Sequence, residues 1–411
     1  MRRLGGKTAG SLPHIPDGVR TLSTAHRNQR INPPKTIPEN PKGRLAVMGL
    51  NARGQLGLGE RGDSQAVPAI PDGIGGSKNW VSVTSADQAT FAIGADGSLW
   101  STGEGPIANY NLGSKRTFTK FSKYSDWVSV AVTNYAPHTA VGIRRVGNTG
   151  NGNLWAWGNG GNGRGGWGNS TTYNSPKLIG GNGDWKSLAA GHDFFVGLKT
   201  NGSIWTWGRN NFGQIGNGYY NSDSGYPNYT YYNQNRSSPA QINGSTVGFT
   251  QIAAGKYHAV ALRNGDSWGW GCNALRQLGN GGSTTKNTTI QRITSSGDFV
   301  TVAAGNYGSM ALKNDGSLWC AGRANTGVLG PPAPSGNYHS VWGPANLGND
   351  WKAIDMNSRT SLLLKKNNTA WMLGWIMTPS GVTITVSSPV QIPGVWSSIS
   401  IAYDQIRLIE P

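Results

Sequence analysis

Short apolar segments separated by glycine- and asparagine-rich turns run through most of the chain, and they recur as one repeated unit. Each copy begins with an aromatic residue and a short apolar strand that often ends in Ala-Ala-Gly. A second strand, an Asn-Gly or Asp-Gly turn and Leu-Trp-x-Trp-Gly follow. Long stretches of helical periodicity are missing, so the pattern predicts an all-β repeat protein. The copies begin at Trp80, Trp127, Trp185, Phe249, Phe299, Trp351 and, cut short by the chain end, Trp396.

Hairpin turns are the clearest local signal within the copies. Asp96-Gly97 and Asp315-Gly316 each lie between two segments rich in β-forming residues. Such pairs tolerate the positive φ of tight hairpin turns. In residues 204–207 bulky side chains alternate to both sides of the strand, which suits a sheet covered on both faces. The small residues at 189–191 suit a strand crowded against its neighbours near a central axis.

The final copy lacks its second half, and the missing half lies near the other end of the chain. The strand and glycine-rich turn that would complete it begin near Leu45. We therefore expect Leu45 and Val47 to lie in a strand that pairs with the strand of Ile406 and Leu408. This pairing would close a ring and remove exposed sheet edges, which are otherwise adhesive.

The predicted architecture is a seven-bladed β-propeller, closed by pairing of the N- and C-terminal strands, with an extended N-terminal arm. The ring is expected to span residues 44–411 and the arm residues 1–43. Two insertions interrupt the repeats, a tyrosine-rich segment at 217–236 and a proline-rich loop at 331–346.

The repeat motif resembles that of the regulator of chromosome condensation family. Leu-Trp-x-Trp-Gly followed by Gly-Gln-Leu-Gly is typical of that family, and residues 213–216 and 54–57 are close copies of the second element. The resemblance covers residues 44–411 and implies a seven-bladed β-propeller, commonly closed by its two termini. The degenerate repeats, rich in Asn, Gly, Thr and Ser, are similar to bacterial or phage members. The scaffold serves unrelated tasks, so the resemblance is specific for fold rather than for function.

Composition and charge narrow the functional classes. Lys and Arg total 36 and Asp and Glu total 19, which gives a formal net charge of +17. Since no apolar run reaches about 18 residues, we expect no membrane insertion. The basic N-terminus is not followed by an apolar segment, so no signal peptide for secretion is recognisable. The expected location is a virion or the cytoplasm.

The N-terminal arm is basic and rich in proline, which prevents a regular helix through it. Composition alone favours a solvated, disordered tail. The alternative is a partner-binding arm, whose cations would meet an acidic surface or nucleic acid. The candidate partner-binding residues of the arm are Arg2, Arg3, Lys7, Arg20, Arg27, Arg30 and Lys35.

The tyrosine-rich insertion has the composition of adaptable binding loops, because Tyr supplies a large contact area at a low cost in conformational entropy. The alternative is a loop that packs its rings onto its own propeller. The candidate partner-binding residues of the insertion are Tyr219, Tyr220, Tyr226, Tyr229, Tyr231, Tyr232 and Arg236.

Residues with catalytic or metal-binding spacing do not emerge from the sequence. The six histidines form no metal-ligand spacing with one another or with Cys272 and Cys320. A glycine-rich match to a dinucleotide fingerprint at 158–163 lacks the following helix that such a site needs. His258 occupies the Gly-x-x-His position of the repeat, where a histidine that ties strands together is expected. The sequence therefore predicts a protein that is not an enzyme and holds no cofactor or metal.

The leading hypothesis is a non-enzymatic interaction scaffold, namely a structural component of a large assembly such as a bacteriophage virion. Its arm and loops would contact other protein subunits of that assembly. One alternative is a nucleic-acid- or chromatin-associated or GTPase-regulating propeller, because the family's namesake combines a basic tail with a propeller that activates a small GTPase. A further alternative is an adhesin, a glycan-binding protein or an inhibitor.

Overall fold

A computed structural model describes most of the repeat region. Within it the chain forms strands and a single short 3₁₀ helix at Gly161–Gly163. No helix in this described part has the length and apolar character needed to cross a membrane. The residues described are 43–60, 62, 64–71, 79–104, 115–133, 136–147, 151–221, 234–242, 247–282, 284–324, 326–331, 337–377, 383–402 and 405–411.

The strands follow one another without α-helices between them in the described ranges, as the repeat pattern predicts. The first strands are β1 (Leu45–Gly49), β2 (Gln65–Ala69), β3 (Trp80–Ser85), β4 (Ala89–Gly94), β5 (Leu99–Gly103), β6 (Lys115–Lys120), β7 (Trp127–Val132), β8 (Thr139–Arg145), β9 (Gly152–Gly158), β10 (Tyr173–Ala190), β11 (Phe194–Lys199), β12 (Ile204–Gly208) and β13 (Arg236–Gln241). The remaining strands are β14 (Phe249–Ala254), β15 (His258–Arg263), β16 (Asp266–Cys272), β17 (Lys286–Arg292), β18 (Phe299–Ala304), β19 (Gly308–Lys313), β20 (Leu318–Arg323), β21 (Tyr338–Pro344), β22 (Trp351–Met356), β23 (Thr360–Lys365), β24 (Ala370–Met377), β25 (Thr383–Ile392), β26 (Ser398–Ala402) and β27 (Gln405–Ile409).

Four antiparallel strands in chain order form the basic unit of the fold. The sheets β3-β4-β5-β6, β14-β15-β16-β17, β18-β19-β20-β21 and β22-β23-β24-β25 follow this order. The third strand of each sheet carries a tryptophan, and the first strands β14 and β18 end in Ala-Ala. The repeated sequence therefore corresponds to a repeated sheet.

Two units are joined into a seven-stranded sheet, which the sequence does not predict. The long strand β10 pairs through its first half with β9, where Leu178 lies opposite Trp155. Its second half pairs with β11, where Leu188 lies opposite Gly197. Asn182, at the middle of β10, has a positive φ of 75°. One continuous strand thus serves as the outer strand of one unit and the first strand of the next.

The two ends of the chain meet in one sheet, in the order β2-β1-β27-β26. Leu45 lies opposite Ile409, Val47 opposite Arg407, and β1 and β27 run antiparallel over their whole length. The predicted closure residues Leu45, Val47, Ile406 and Leu408 are all buried. The strand near Leu45 therefore pairs with the strand near Ile406, as the truncated final copy indicates.

Neighbouring units pack through apolar side chains of their first and second strands. Between two central units, Phe194, Val196 and Leu198 contact Phe249 and Ile252 in one buried cluster. Burying an aliphatic or aromatic side chain of this size contributes about 1.5–3 kcal/mol. The first strands contact one another in the order β3, β7, β10, β14, β18, β22 and β26, and β26 also contacts β3.

Arg407 is an exception to this apolar packing, because it is fully buried on the second strand of the terminal sheet. The corresponding position of the central sheet holds Val196. The Arg407 Nη2 donates hydrogen bonds to Thr90 Oγ1 of the adjacent unit and to Gln405 Oε1. Burial lowers the pKa of Arg407 to about 9. Polar side chains therefore join the terminal sheet to the first four-stranded unit.

Candidate interaction surface

The two ends of the strands define two faces of the molecule. The loop face lies where the first strand of a unit connects to the second and the third to the fourth, as at residues 191–193 and 209–235. The hairpin face lies at the other end, where the second strand connects to the third, as at residues 200–203. β27 ends and β1 begins at this second end, on the hairpin face.

The described residues next to the two candidate partner-binding regions lie at opposite ends of the strands. The tyrosine-rich insertion connects β12 to β13, so its described residues, Tyr219 and Tyr220 among them, lie on the loop face. β1, which follows the arm in the sequence, begins at the hairpin face. The arm itself lies outside the described residues, and with it the candidates Arg2, Arg3, Lys7, Arg20, Arg27, Arg30 and Lys35.

Two tyrosines of the insertion are described, and both are exposed. Tyr219 retains 63% of its accessible surface and Tyr220 retains 44%. Arg236, at the other end of the insertion, directs Nη1 to the carbonyl oxygens of Ala240 and Gln241, at 3.5 and 3.3 Å. Burial lowers the pKa of Arg236. The candidates Tyr226, Tyr229, Tyr231 and Tyr232 lie outside the described residues.

Asparagine side chains hold the base of the insertion in place. Asn210 Nδ2 donates to Asn217 Oδ1 at 3.1 Å and to the carbonyl of Tyr219 at 2.9 Å. Asn221 Nδ2 donates to Asn235 Oδ1 at 2.7 Å, which links the two ends of the insertion. Since these bonds fix the backbone beside Tyr219, the two exposed tyrosines project from a defined base.

The Gly-Gln-Leu-Gly motif lies beside this base and has a structural role. Asn210 Oδ1 accepts a hydrogen bond from the Ile215 N–H at 3.1 Å, and Gln214 Oε1 accepts one from the Phe212 N–H at 2.8 Å. Gly213 adopts a φ of +76°, a region that favours glycine. The motif thus uses its polar side chains to satisfy the backbone of a tight turn.

Several cationic side chains surround a buried carboxylate on the loop face. Asp193 forms an ion pair with the buried Arg164, a contact of 3.1 Å with His192 Nδ1, and a contact of 3.4 Å with Arg209 Nη1. Burial opposes ionisation of Asp193, but the hydrogen bond from His192 and the charge of Arg164 outweigh it, so the pKa of Asp193 is lowered. Asp193 is therefore a carboxylate anion at neutral pH.

Lys256, from the next unit, belongs to the same cluster. Burial lowers its pKa, whereas the charge of Asp193 raises it. The Lys256 Nζ lies 4.9 Å from the centre of the Tyr257 ring, and Phe212 stacks on Tyr257 at 4.4 Å. Cations and aromatic rings from two neighbouring units therefore form one continuous surface.

Lys286 extends this surface to the insertion. Its Nζ lies 3.9 Å from the centre of the Tyr220 ring and 5.7 Å from that of Phe212. We call Arg209, Phe212, Tyr220, Lys256, Tyr257 and Lys286 the cation strip. Among these residues, only Tyr220 is a candidate that the sequence predicts. The others come from two loops and the start of β17, and no spacing along the chain indicates that they meet.

The hairpin face uses cations differently. Lys199 forms an ion pair with Asp184 at 3.0 Å while its Nζ lies 4.2 Å from the centre of the Trp205 ring. Lys313 repeats this arrangement with Asp298 and Trp319. Lys199 and Lys313 each have a carboxylate of their own, so these two charges are balanced within their units.

The sequence predicts no catalytic site. The buried histidine of the repeat, His258, contacts a side chain of the neighbouring unit. His258 Nε2 lies 2.9 Å from Ser309 Oγ of the next unit. Burial lowers the pKa of His258 to about 3, so the ring is neutral at physiological pH. Cys272 and Cys320 are buried free thiols. Among the described residues, no group of three or more His, Cys, Asp or Glu side chains could hold a metal ion.

The proline-rich loop at 331–346 contributes both exposed and buried aromatic residues. Tyr338 is exposed, whereas Trp342 is buried and packs against Phe299. Residues 332–336 lie outside the described part of the chain. Trp342 therefore belongs to the core rather than to a contact surface.

Comparison with known proteins agrees with the repeat pattern. Residues 201–262 and 264–312 match the family described as Regulator of chromosome condensation (RCC1) repeat, and residues 185–214 match a second model of the same description. The E3 ubiquitin-protein ligase HERC2 of Mus musculus is 26% identical over 304 residues, which cover 70% of this chain. The chain spans only 6% of the length of that relative.

Solved structures show the same fold at low sequence identity. Human WBSCR16 superposes with a TM-score of 0.75 at 18% identity, covering 90% of this chain and 98% of the other. Prp20p of Saccharomyces cerevisiae, whose structure was reported with its binding properties to Gsp1p and histones, gives a TM-score of 0.74 at 17% identity. This superposition covers 93% of the present chain and 92% of Prp20p. The chain is thus a β-propeller repeat protein whose residues 185–312 carry repeats of the regulator of chromosome condensation type.

Proposed function

We propose that this chain is a non-enzymatic, protein-binding propeller that regulates a small GTPase or associates with chromatin proteins, and that its loop face is the partner surface. The observation that carries the proposal is the exposure of Tyr219 and Tyr220, with Lys286 lying over the Tyr220 ring. Exposed tyrosine and arginine side chains are enriched where proteins bind proteins.

The architecture proposed for this surface is a closed ring of seven blades. Support comes from the contacts of the first strands, since β26 contacts both β22 and β3, and from the pairing of β1 with β27. A closed ring is rigid, and a rigid platform loses little conformational entropy when its loops bind.

The comparisons favour the GTPase-regulating or chromatin-associated alternative over a virion component. Prp20p, which covers nearly the whole propeller, is reported to bind Gsp1p and histones. A role in a bacteriophage virion receives no support from the relatives described above.

Binding of purified Gsp1p and of core histones to the immobilised full chain tests this proposal. We expect saturable binding of at least one of the two, weakened in the Tyr219→Ala/Tyr220→Ala variant. Tyr124→Ala is the matched control, because Tyr124 is also exposed, at 41%, but lies on the hairpin face. A wild-type chain that binds neither probe would contradict the proposed function, and equal binding by all variants would exclude the loop face.

A further inference from the structure

We propose that the cation strip docks an acidic segment of the partner protein, with carboxylates of that segment meeting Arg209, Lys256 and Lys286. This inference rests on the proposed function and names the chemistry of the partner at the loop face. It commits to a protein segment rather than to nucleic acid.

The first argument is the local charge. Three cations, Arg164, Arg209 and Lys256, surround the single carboxylate of Asp193. The cluster therefore has a net charge of +2. Arg164 is buried and forms an ion pair with Asp193, so it neutralises the charge of that carboxylate. Arg209 is about one-third exposed and Lys256 is half-buried, so the excess charge faces the surface. Lys286 adds a further positive charge beside Tyr220.

The second argument is the use of the aromatic faces. Lys286 lies over the Tyr220 ring and Lys256 over the Tyr257 ring. Phe212 stacks on Tyr257 with an angle of 28° between the ring planes. Nucleic-acid bases bind such surfaces by stacking on open aromatic faces. Because lysine ammonium groups and another ring already lie against these faces, base stacking is disfavoured there and a ligand meets the cations. These cations bind carboxylates.

The third argument is that the strip is pre-organised. The asparagine network around Asn210 and Asn221 fixes the loop that presents Phe212 and leads into Tyr220. The main-chain N–H of Arg209 donates to the carbonyl of Asp193 at 2.9 Å, which fixes the start of the same loop. Holding the cations in place before binding lowers the entropy cost of docking.

The experiment measures fluorescence anisotropy of a labelled short polyglutamate peptide, a matched polylysine peptide and a single-stranded oligothymidylate, each titrated with the full chain. We expect polyglutamate to bind most tightly and to weaken as salt is raised, because exposed charges are screened. The Arg209→Gln/Lys256→Gln/Lys286→Gln variant should bind it at least about tenfold more weakly, a loss that corresponds to about 1.4 kcal/mol.

The matched control is Lys123→Gln/Tyr124→Ala, which removes an exposed lysine and tyrosine from the hairpin face. It should bind polyglutamate as the wild type does. The single variant Lys286→Gln provides a second test, since Lys286 lies away from the buried ion pair and its loss should leave the fold intact. It should also weaken binding of polyglutamate.

Two outcomes would overturn the inference. In the first, oligothymidylate binds more tightly than polyglutamate, and the glutamine variants bind oligothymidylate more weakly. The strip would then be a nucleic-acid site. Unchanged polyglutamate binding in both glutamine variants, or no binding by the wild type, would show that no acidic segment docks there. If Gsp1p or histones still bind the loop face in that case, the proposed function stands and only the chemistry assigned to the strip falls.

Discussion

Lysines and aromatic rings meet on both faces of this propeller, yet the two faces use them differently. On the hairpin face Lys199 rests on Trp205 and pairs with Asp184, and its side chain is largely buried. On the loop face Lys286 rests on the exposed Tyr220, and Lys256 shares Asp193 with two arginines. The comparison shows that a cation–aromatic contact stabilises the fold where a carboxylate balances it and leaves charge available where none does.

The hairpin-face arrangement follows from positions within the repeat. The aspartate immediately precedes the aromatic residue that starts a unit, as in Asp184-Trp185 and Asp298-Phe299. The cation ends the second strand, as Lys199 and Lys313 do. Because both positions belong to one repeat, the units of Lys199 and Lys313 balance this charge internally, whereas the cluster around Asp193 combines residues from three units.

The largest expected difference between the faces is in stability. Trp185→Ala removes a buried indole that packs beside Lys199, and we expect a loss of about 3–5 kcal/mol in the free energy of unfolding. Tyr220→Ala on the loop face should change it by less than about 0.5 kcal/mol. Chemical denaturation of both variants checks this. Similar losses for the two would contradict the division between a structural and a binding face.

Asp193 lies on the loop face but is also expected to contribute to the free energy of unfolding. Asp193→Asn leaves the buried Arg164 without its carboxylate, and we expect a loss of about 3 kcal/mol at neutral pH. The folded-state pKa of Asp193 is lowered, so its contribution is present above the unfolded value of about 3.9 and is lost as the pH falls further. Thermal melting across acidic pH should show this loss in the wild type and a smaller one in Asp193→Asn. An unchanged melting curve in the variant would refute the assignment.

The smallest expected changes in stability come from replacing one lysine on each face with methionine. Lys199→Met should lower stability by about 1 kcal/mol, because it removes an ion pair and a cation–aromatic contact while leaving Asp184 unpaired. Lys256→Met should cost less, since burial already disfavours the charge of Lys256. It should instead weaken binding of polyglutamate. Equal stability losses with no effect on binding would remove the distinction between the two lysines.

Much of the fold could be predicted because its signals are local. The turn at Asp96-Gly97 and the paired strands of Leu45 and Ile406 follow from residues adjacent in sequence or from a missing half-repeat. The continuity of β10 could not be predicted, because residues 173–190 contain glycines and an asparagine that are typical of a loop. Arg407 was also not anticipated, since its partner Thr90 lies in another unit.

The candidate surface was predictable only in part. Tyr219 and Tyr220 could be identified because tyrosines are concentrated in one insertion. Arg209, Asp193 and Lys256 could not, because each occupies a different loop and their proximity depends on how neighbouring sheets pack. A comparison of the loops that follow Ala-Ala-Gly in successive copies shows that charged residues enter at Asp193 and Lys256.

Amide hydrogen exchange of the full chain, with and without a saturating amount of whichever of Gsp1p or histones it binds, tests the central claim most directly. The claim is that the loop face is the partner surface. The account predicts slower exchange on binding at residues 209–221 and 256–257, with no change at residues 122–126 of the hairpin face. Protection confined to residues 122–126, with none at the loop face, would contradict it.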